Sequence, residues 1–389
     1  MNATPLAGLL VVEIGQFVAA PYAGEVLADL GARVIKIEPP EGDAIRAWGP
    51  HPSGESAPYL AYNRGKESVR LDLRSEDGKE AALRLFERAD IIVENTRPGV
   101  LAKYGLDASA ARERNPRLIF CSISGYGQHA PNANRAGMDL VIQANTGIMS
   151  VTGDVDGPVI KAGVPIVDCT AALHATTAIL AALHAREKSG AGTTIDISLQ
   201  ASNIMWMALL ASAYFATGEL PQKLGSAHPL SAPYQAFKAA DGYITIACSN
   251  DVLWETLRHE LGLDGLRDDP RFGTNSDRAR NQRELAAIVE ARLLEDSAEH
   301  WVSRLQGAGI PCDRVNDLAQ ALSDETLVAR GTVGTFDHPI VGRMRTVGNP
   351  IHFEAPPPPI RRPPISGEHT EAVLREIGLR SEQEHARVG

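Results

Sequence analysis

The first 125 residues alternate short apolar runs with amphipathic ones, and that alternation leaves few folds open. Residues 9–14 are nearly all apolar and end at Gly15, as expected of a strand buried on both faces. A helix then runs to Leu30, with Pro21 in its first turn, where no intrahelical donor is lost, and Gly31 closing it. Residues 34–37 form the next strand and complete one right-handed βαβ unit. The pattern continues with a strand at 68–73, a helix at 76–88, a strand at 91–94, a helix at 108–115 and a strand at 118–124. It predicts an α/β domain with a parallel sheet covered on both faces and a ligand beyond the carboxyl ends of the strands.

A dinucleotide fingerprint is absent from that frame. The chain after the first strand reads GQFVAAPYAG, without the second and third glycines of G-x-G-x-x-G, so the backbone there cannot approach a pyrophosphate closely. Glu38 stands where a ribose-binding acid would, but without those glycines it has little to work with. G-x-x-x-x-G-K-[ST] is also missing. The sheet is nucleotide-like and lacks the standard phosphate loops.

Residues 161–199 centre on Asp168. A loop with Gly163 and Pro165 leads in, and an alanine-rich helix over 169–187 follows, stopped by Lys188-Ser189-Gly190. Residues 193–199 then alternate as a strand. Asp168 is thus placed at or next to the helix N-cap, which leaves two readings: a capping carboxylate, or a carboxylate offered to a substrate at the positive helix end. The amides at the helix start are candidates to hold a developing oxyanion. Cys169 reads as a small buried residue, because His174 lies almost two turns away and no base is placed for a thiolate.

The second half changes composition. Residues 204–218 are apolar and helical, and 218–233 are Gly/Pro-punctuated. A hairpin is expected around Asp241-Gly242, then helices at 251–261, 281–294 and 298–305, a strand at 332–336, an extended proline run at 356–359 and a helix at 370–377. The expected domains are 1–203 with 330–389 as a large domain, 204–227 as a linker, and 228–325 as a smaller α+β domain. A net charge of −10 argues against sequence-blind binding to nucleic acid or to an anionic membrane. The longest apolar stretch, 204–216, is short for a bilayer, and the first 15 residues lack the basic region of a signal peptide. Cys121, Cys169, Cys248 and Cys312 form no CxxC pair and no zinc spacing, which suits a reducing cytoplasm and predicts no metal.

Cations gather at post-strand loops. Asn95, Thr96 and Arg97, with Lys103 and Tyr104 just beyond, suit a phosphorylated adenosine ligand or else form an ordinary solvated loop. Asn63-Arg64-Gly65-Lys66, Arg70 and Arg74 add positive charge. G-x-S-x-G is absent, so a serine-hydrolase triad lacks its elbow.

Six stretches in order give the chain a recognisable likeness. They are LADLGARVIKIEPPEGD, IVENTRPGVLAKYGL, GMDLVIQANTGIMSVTG, VPIVD with its alanine-rich helix and GAGTTIDISL, HPLSAPYQAFKAADGYITIA, and GEHT. Together they resemble the family III CoA-transferases over nearly the whole chain. The resemblance implies a Rossmann-like large domain made from both chain ends, a small domain, and an interlocked, ring-like homodimer. It implies Asp168 as the catalytic residue and a CoA site at Val18, Ala19, Leu71, Arg74, Asn95, Thr96, Arg97, Lys103, Gly137, Met138 and Asp139. Trp48 matches an active-site tryptophan of the formyl-CoA transferase branch, and His228 falls where a substrate cover is expected. Val18 and Met138 replace that branch's glutamine and tyrosine, which points away from oxalate and formate. The racemase branch carries a histidine base where this chain has Met138, whose thioether takes no proton.

The implied activity is CoA transfer between organic acids through an aspartyl anhydride and an aspartyl-CoA thioester. CoA enters as substrate, beside an acyl group and a carboxylic acid, with no tightly bound cofactor. An acyl-CoA racemase or epimerase, and a non-catalytic CoA-binding protein, are the alternatives.

Overall fold

The computed structural model describes residues 4–355 and 358–379. Pro356 and Pro357 of the expected proline run lie outside the described residues, as do 1–3 and 380–389 of the expected large domain. By its contacts the chain forms two units, 1–148 with 161–212 and 325–389, and 149–160 with 213–324. Residues 149–160, read from sequence with the large domain, group with the second unit. Hydrogen bonds tie them there: Gly225 N–H donates to the Gly153 carbonyl (3.0 Å), and Lys223 Nζ donates to the carbonyls of Gly157 (2.9 Å) and Pro158 (2.8 Å).

Through residue 217 the chain runs β1 (Leu10–Ile14), α1 (Ala19–Asp29), β2 (Arg33–Glu38), α2 (Ala57–Tyr62), β3 (Glu67–Arg70), α3 (Glu76–Arg88), β4 (Ile91–Glu94), α4 (Ala108–Arg114), β5 (Ile119–Ser124), α5 (Asp139–Asn145), α6 (Ile148–Val151), α7 (Ile166–Ser189), β6 (Thr194–Ser198), α8 (Leu199–Ile204) and α9 (Ala208–Thr217). The six strands form one parallel sheet in the order β3-β2-β1-β4-β5-β6. Successive β1 residues point to opposite faces, so Val11 enters one core cluster with α1 and α7 while Val12 enters the other with α3. The strand order reverses between β1 and β4, the place where such sheets bind ligands.

In length and hydropathy α7 would also suit a bilayer, more so than the 204–216 stretch. Here its Val167, Ala171, Ala175 and Ile179 lie buried in the core cluster shared with α1.

The second unit continues with β7 (Tyr234–Ala239), β8 (Gly242–Ala247), α10 (Asp251–Glu260), α11 (Asn275–Arg280), α12 (Gln282–Leu293), α13 (Ala298–Gly307), β9 (Cys312–Arg314) and α14 (Leu318–Ala321). Ala239 pairs with Gly242, so the hairpin turn is Ala240-Asp241, one residue earlier than expected. Asp241 Oδ1 instead accepts from the Ala298 amide at the start of α13 (2.7 Å). The first unit then resumes with α15 (Glu325–Ala329), β10 (Val333–His338), β11 (Gly342–Val347) and α16 (Thr370–Glu376). The sequence reading missed β11, whose GRMRTV is largely exposed and offers no apolar alternation. Val373 of α16 joins the α3-side core, so residues from before and after the second unit build this one.

Charges lie beneath α1. Lys36 Nζ sits 2.7 Å from Glu13 Oε1 and 2.8 Å from Asp43 Oδ2, and donates to the Gly15 carbonyl (2.8 Å). Lys66 Nζ lies 2.7 Å from Glu13 Oε2. All four side chains are buried. Burial alone would raise the Glu13 carboxyl, but the two ammonium groups outweigh it and hold it below its ordinary value. The helix can rest on this cluster because residue 24 is glycine: a Cβ there would stand 2.1 Å from Glu13 Oε2. Gly24→Ala should therefore cost about 1–3 kcal/mol through overpacking, read as a lower urea midpoint with unchanged slope. A wild-type midpoint would contradict the close approach.

Candidate active site

A cavity of about 540 Å³ opens at the carboxyl ends of β1 to β4. Its rim is held by one side chain. Asn95 Oδ1 accepts from the Gln16 amide (3.0 Å), and Asn95 Nδ2 donates to the Gln16 carbonyl (2.9 Å), so the loops after β1 and β4 are joined. Phe17, next in the chain, has a φ of 64°, which is unfavourable for a residue with a Cβ. The Phe17 amide donates to Asp43 Oδ1 (3.1 Å), and its ring lies 5.2 Å from that of Trp48. Phe17 was not found from sequence, because a positive φ at a bulky residue leaves no mark in composition or period.

Leu71, Arg74, Asn95, Thr96 and Arg97 line this cavity, as does Tyr104. Val18 and Ala19 lie buried at the entry to α1, directly after Phe17. The residues are not equally available to a ligand. The Asn95 amide is occupied by Gln16, and both the amide and hydroxyl of Thr96 donate to Glu94 Oε2 (2.7 Å each). Arg74 pairs with Asp72 (2.7 Å) at an exposed site. Arg97 is exposed, and its guanidinium has no hydrogen-bond or ionic partner among the described residues, although its carbonyl accepts from the Val100 amide (3.0 Å). Lys103 is exposed but does not line the cavity, although Leu101 and Tyr104 on the same turn do.

The Arg64 and Lys66 cluster is not a ligand patch. Arg64 is buried between Glu25 and Asp29, and Lys66 lies against Glu13. Glu38 is likewise committed: it accepts from Arg46 (2.8 Å), Tyr59 (3.2 Å), Ser68 (2.6 Å) and the Asp43 amide (2.9 Å), and so holds the loop that carries Trp48.

Asp168 lies on α7, apart from the residues that line this cavity. The helix begins at Ile166, earlier than the sequence suggested, which places Asp168 in the first turn rather than at the cap. Pro165 is the N-cap and offers no side-chain acceptor. The cap comes from another element: Asp139 Oδ1, at the start of α5, accepts from the Val167 amide (2.9 Å). The Asp168 carboxylate has no hydrogen-bond partner among the described residues. Burial pushes its carboxyl up to about 7, and the nearby Asp139 charge adds to the rise. The amides of Ile166 (to Val164 O, 2.8 Å), Val167 and Cys169 (to Pro165 O, 3.0 Å) are engaged, so among the first-turn amides only that of Asp168 is left without a partner among the described residues, one donor rather than a row.

Gly137, Met138 and Asp139 accompany Asp168 rather than the cavity. Gly137 packs on Gly125, where a Cβ would meet the Gly125 backbone at 2.7 Å, and this close approach sets the entry to α5. Met138 is the N-cap of α5 and is largely exposed. Burial pushes the Cys169 thiol up to about 11, with the Asp168 and Asp139 charges adding to it. That leaves it protonated and a poor rival nucleophile. His228, in the second unit, stacks near Tyr234 (5.1 Å), and its Nδ1 accepts from the Leu230 amide (3.1 Å). Among the described residues no group of three or more His, Cys, Asp or Glu is placed to hold a metal ion.

Known proteins supply a frame for this geometry. The family described as CoA-transferase family III matches residues 6–370. Succinate–glutarate CoA-transferase of Agrobacterium fabrum is 37% identical, with 96% of each chain covered. Acetyl-CoA:oxalate CoA-transferase of Acetobacter aceti is 36% identical, again with 96% of each chain covered. The crystal structure of a CAIB/BAIF family protein from Brucella suis superposes with a TM-score of 0.86 at 40% identity, covering 97% of this chain and all of that one.

The raised carboxyl has a thermodynamic signature. Its ordinary value is 3.8 and its folded value about 7, so the native state holds the proton more tightly and stability falls as pH climbs between them. Asp168→Asn removes the charged form. Its stability gain over wild type should be larger at about pH 8 than at about pH 5, read as the difference in urea midpoints. A gain independent of pH would contradict the placement of the carboxyl.

Proposed function

The chain belongs to CoA-transferase family III, and on that footing we propose that it moves CoA between carboxylic acids with Asp168 as the acyl acceptor. The observation that carries this reading is the Asp168 carboxylate itself, unpartnered among the described residues on the first turn of α7 and raised to about 7. A carboxylate of that basicity is a stronger nucleophile than an ordinary one and is still substantially ionised near neutral pH.

An Asp168 oxygen attacks the thioester carbonyl. The C–S bond breaks, leaving an acyl-aspartyl anhydride and the CoA thiolate. The thiolate attacks the aspartyl Cγ, the anhydride C–O bond breaks, and the first acid departs as its carboxylate. The resulting aspartyl-CoA thioester is attacked at Cγ by the incoming carboxylate, which again expels the thiolate and forms a new anhydride. Attack of the thiolate on the incoming acyl carbon completes the product and restores Asp168. No net proton or redox change occurs, so the scheme calls for no cofactor beyond CoA as substrate.

The CoA site we propose runs along the β1 to β4 cavity, with Arg97, Arg74 and Lys103 as phosphate contacts and Leu71 and Tyr104 as apolar ones. Trp48 and His228 are proposed substrate contacts. The A. fabrum relative is named for succinate and glutarate, which supports short dicarboxylic acids as the first acceptors to try. The racemase alternative is disfavoured, since Met138 has no useful basicity. We also propose a homodimer. Leu173, Leu180, Ile204, Met205, Trp206 and Leu209 are exposed on α7 to α9, an apolar surface that a second copy would cover. The four free cysteines suit a cytoplasmic setting.

Asp168→Asn should lower transfer by several orders of magnitude while CoA binding persists. Intact mass after incubation with succinyl-CoA should show an adduct on wild type alone, and an adduct mapped to Cys169 would overturn the assignment. Arg97→Ala should weaken CoA binding, and the wild-type advantage should shrink as salt rises. Equal binding by the two proteins at low salt would mean that Arg97 is merely solvated.

A further inference from the structure

Gln143 is fully buried on α5, one helical turn after Asp139, inside the GMDLVIQANTGIMSVTG stretch. Its Nε2 donates to Asp139 Oδ2 (2.6 Å), and its Oε1 accepts from the Ala162 amide (2.9 Å). The orientation of the amide is dictated by its partners, because a backbone N–H requires an acceptor and a carboxylate oxygen a donor. Asp139 in turn turns its other oxygen to the Val167 amide (2.9 Å). One side chain therefore fastens both ends of the segment that leads into the first turn of α7, at Ala162 directly and at Val167 through Asp139.

We propose that Gln143 is a positioning residue for the nucleophile: its amide locks the Asp139 carboxylate against the start of α7 and the entering loop against α5, so that Asp168 is presented with its oxygens free. This rests on the reading of Asp168 as the acyl acceptor. The physical reason is that α7 has no cap of its own. Pro165 supplies no side-chain acceptor, and a first turn without one frays. Asp139 fills the role from outside the helix, and a lone carboxylate can rotate away from its amide. With Oδ2 held by Gln143, rotation would break a short, partly buried hydrogen bond. The same lock keeps the Asp139 charge beside Asp168. The other ionisable groups near Asp168 are Tyr62 at the end of α2 and Cys169 on α7 itself, with Tyr22 of α1 facing Cys169. Burial holds all three above their ordinary values, which leaves Asp139 as the neighbour whose charge adds to the rise of Asp168.

Two substitutions separate positioning from simple packing. Gln143→Leu keeps the volume and removes both hydrogen bonds. Gln143→Glu keeps an acceptor for Ala162 but can donate to Asp139 only when protonated. The measurements are the rate of adduct formation on Asp168 from succinyl-CoA across about pH 5–9, and CoA binding by calorimetry. Wild type should form the adduct. Gln143→Leu should form it about 100-fold more slowly with CoA binding unchanged, the loss expected of a nucleophile displaced by roughly 1 Å. Its acid limb should move to lower pH, because Asp139 no longer faces Asp168. Gln143→Glu should lose ground to wild type steadily as pH rises. Wild-type rates in both variants, or a slower Gln143→Leu whose acid limb has not moved, would overturn the proposal. If Gln143→Leu does not fold, the pH-dependent ratio for Gln143→Glu decides alone, and a constant ratio overturns it. Absence of an adduct in wild type would instead overturn the reading of Asp168, and this inference with it.

Discussion

The ligand-facing edge of the sheet depends on the Lys36 ammonium. It is buried and is satisfied by Glu13, by Asp43 and by the carbonyl that ends β1. Through Asp43 it reaches further, since that carboxylate also accepts from the amides of Phe17 and Ile45. The unfavourable backbone of Phe17 is thus held by a chain of hydrogen bonds that begins on a charge inside the core. Removing one member of such a set leaves another charge buried without a partner, which costs far more than a surface pair contributes. The cavity rim is positioned by this arrangement before any ligand arrives.

Carboxylates are compensated by close partners in one half of the unit, and in the other the half-buried Asp168 is not. Glu13, Lys36, Glu38, Arg46 and Lys66 all have close partners, and Glu38 is held well down, to about 2, because the bonds from Arg46 and Ser68 and the nearby Lys36 charge outweigh its burial. Asp168 has burial without compensation and rises instead. Proteins tolerate an uncompensated carboxylate where chemistry needs one, and its cost is carried by the well-packed helix beneath it.

Much of the sheet was legible in the sequence because fully buried parallel strands are written as unbroken apolar runs between helices of period 3.6. The bounds expected for α3 and β4 agree with those observed. That Asp168 stands at the start of a helix was legible too, but the source of that helix's cap was not. The cap on α7 comes from Asp139, 28 residues before Val167, and no local rule reaches that far. The same limit explains Arg64 and Lys66. Read as a string they are a positive patch, yet their partners Glu25, Asp29 and Glu13 sit on elements that the string does not place beside them. Gln143 left a faint mark, an amide four residues after an aspartate in an otherwise apolar turn, whose meaning depends on Ala162 arriving from another loop.

The return of the chain to its starting unit has a consequence for the order of assembly. Arg33 of β2 pairs with Glu376 (2.8 Å), the Arg70 amide donates to Thr370 Oγ1 (3.0 Å), and Gly367 N–H donates to Ser68 Oγ (2.8 Å), contacts that span about 300 residues. During synthesis the edge strand β3 and its neighbour β2 must wait, with this flank uncovered, until about 300 further residues have emerged. The intervening unit, 213–324, has its own core and emerges in between. Completion of the large unit is therefore a late, long-range event governed by loop-closure entropy, and the interval before it is when the nascent chain is most open to wrong pairings.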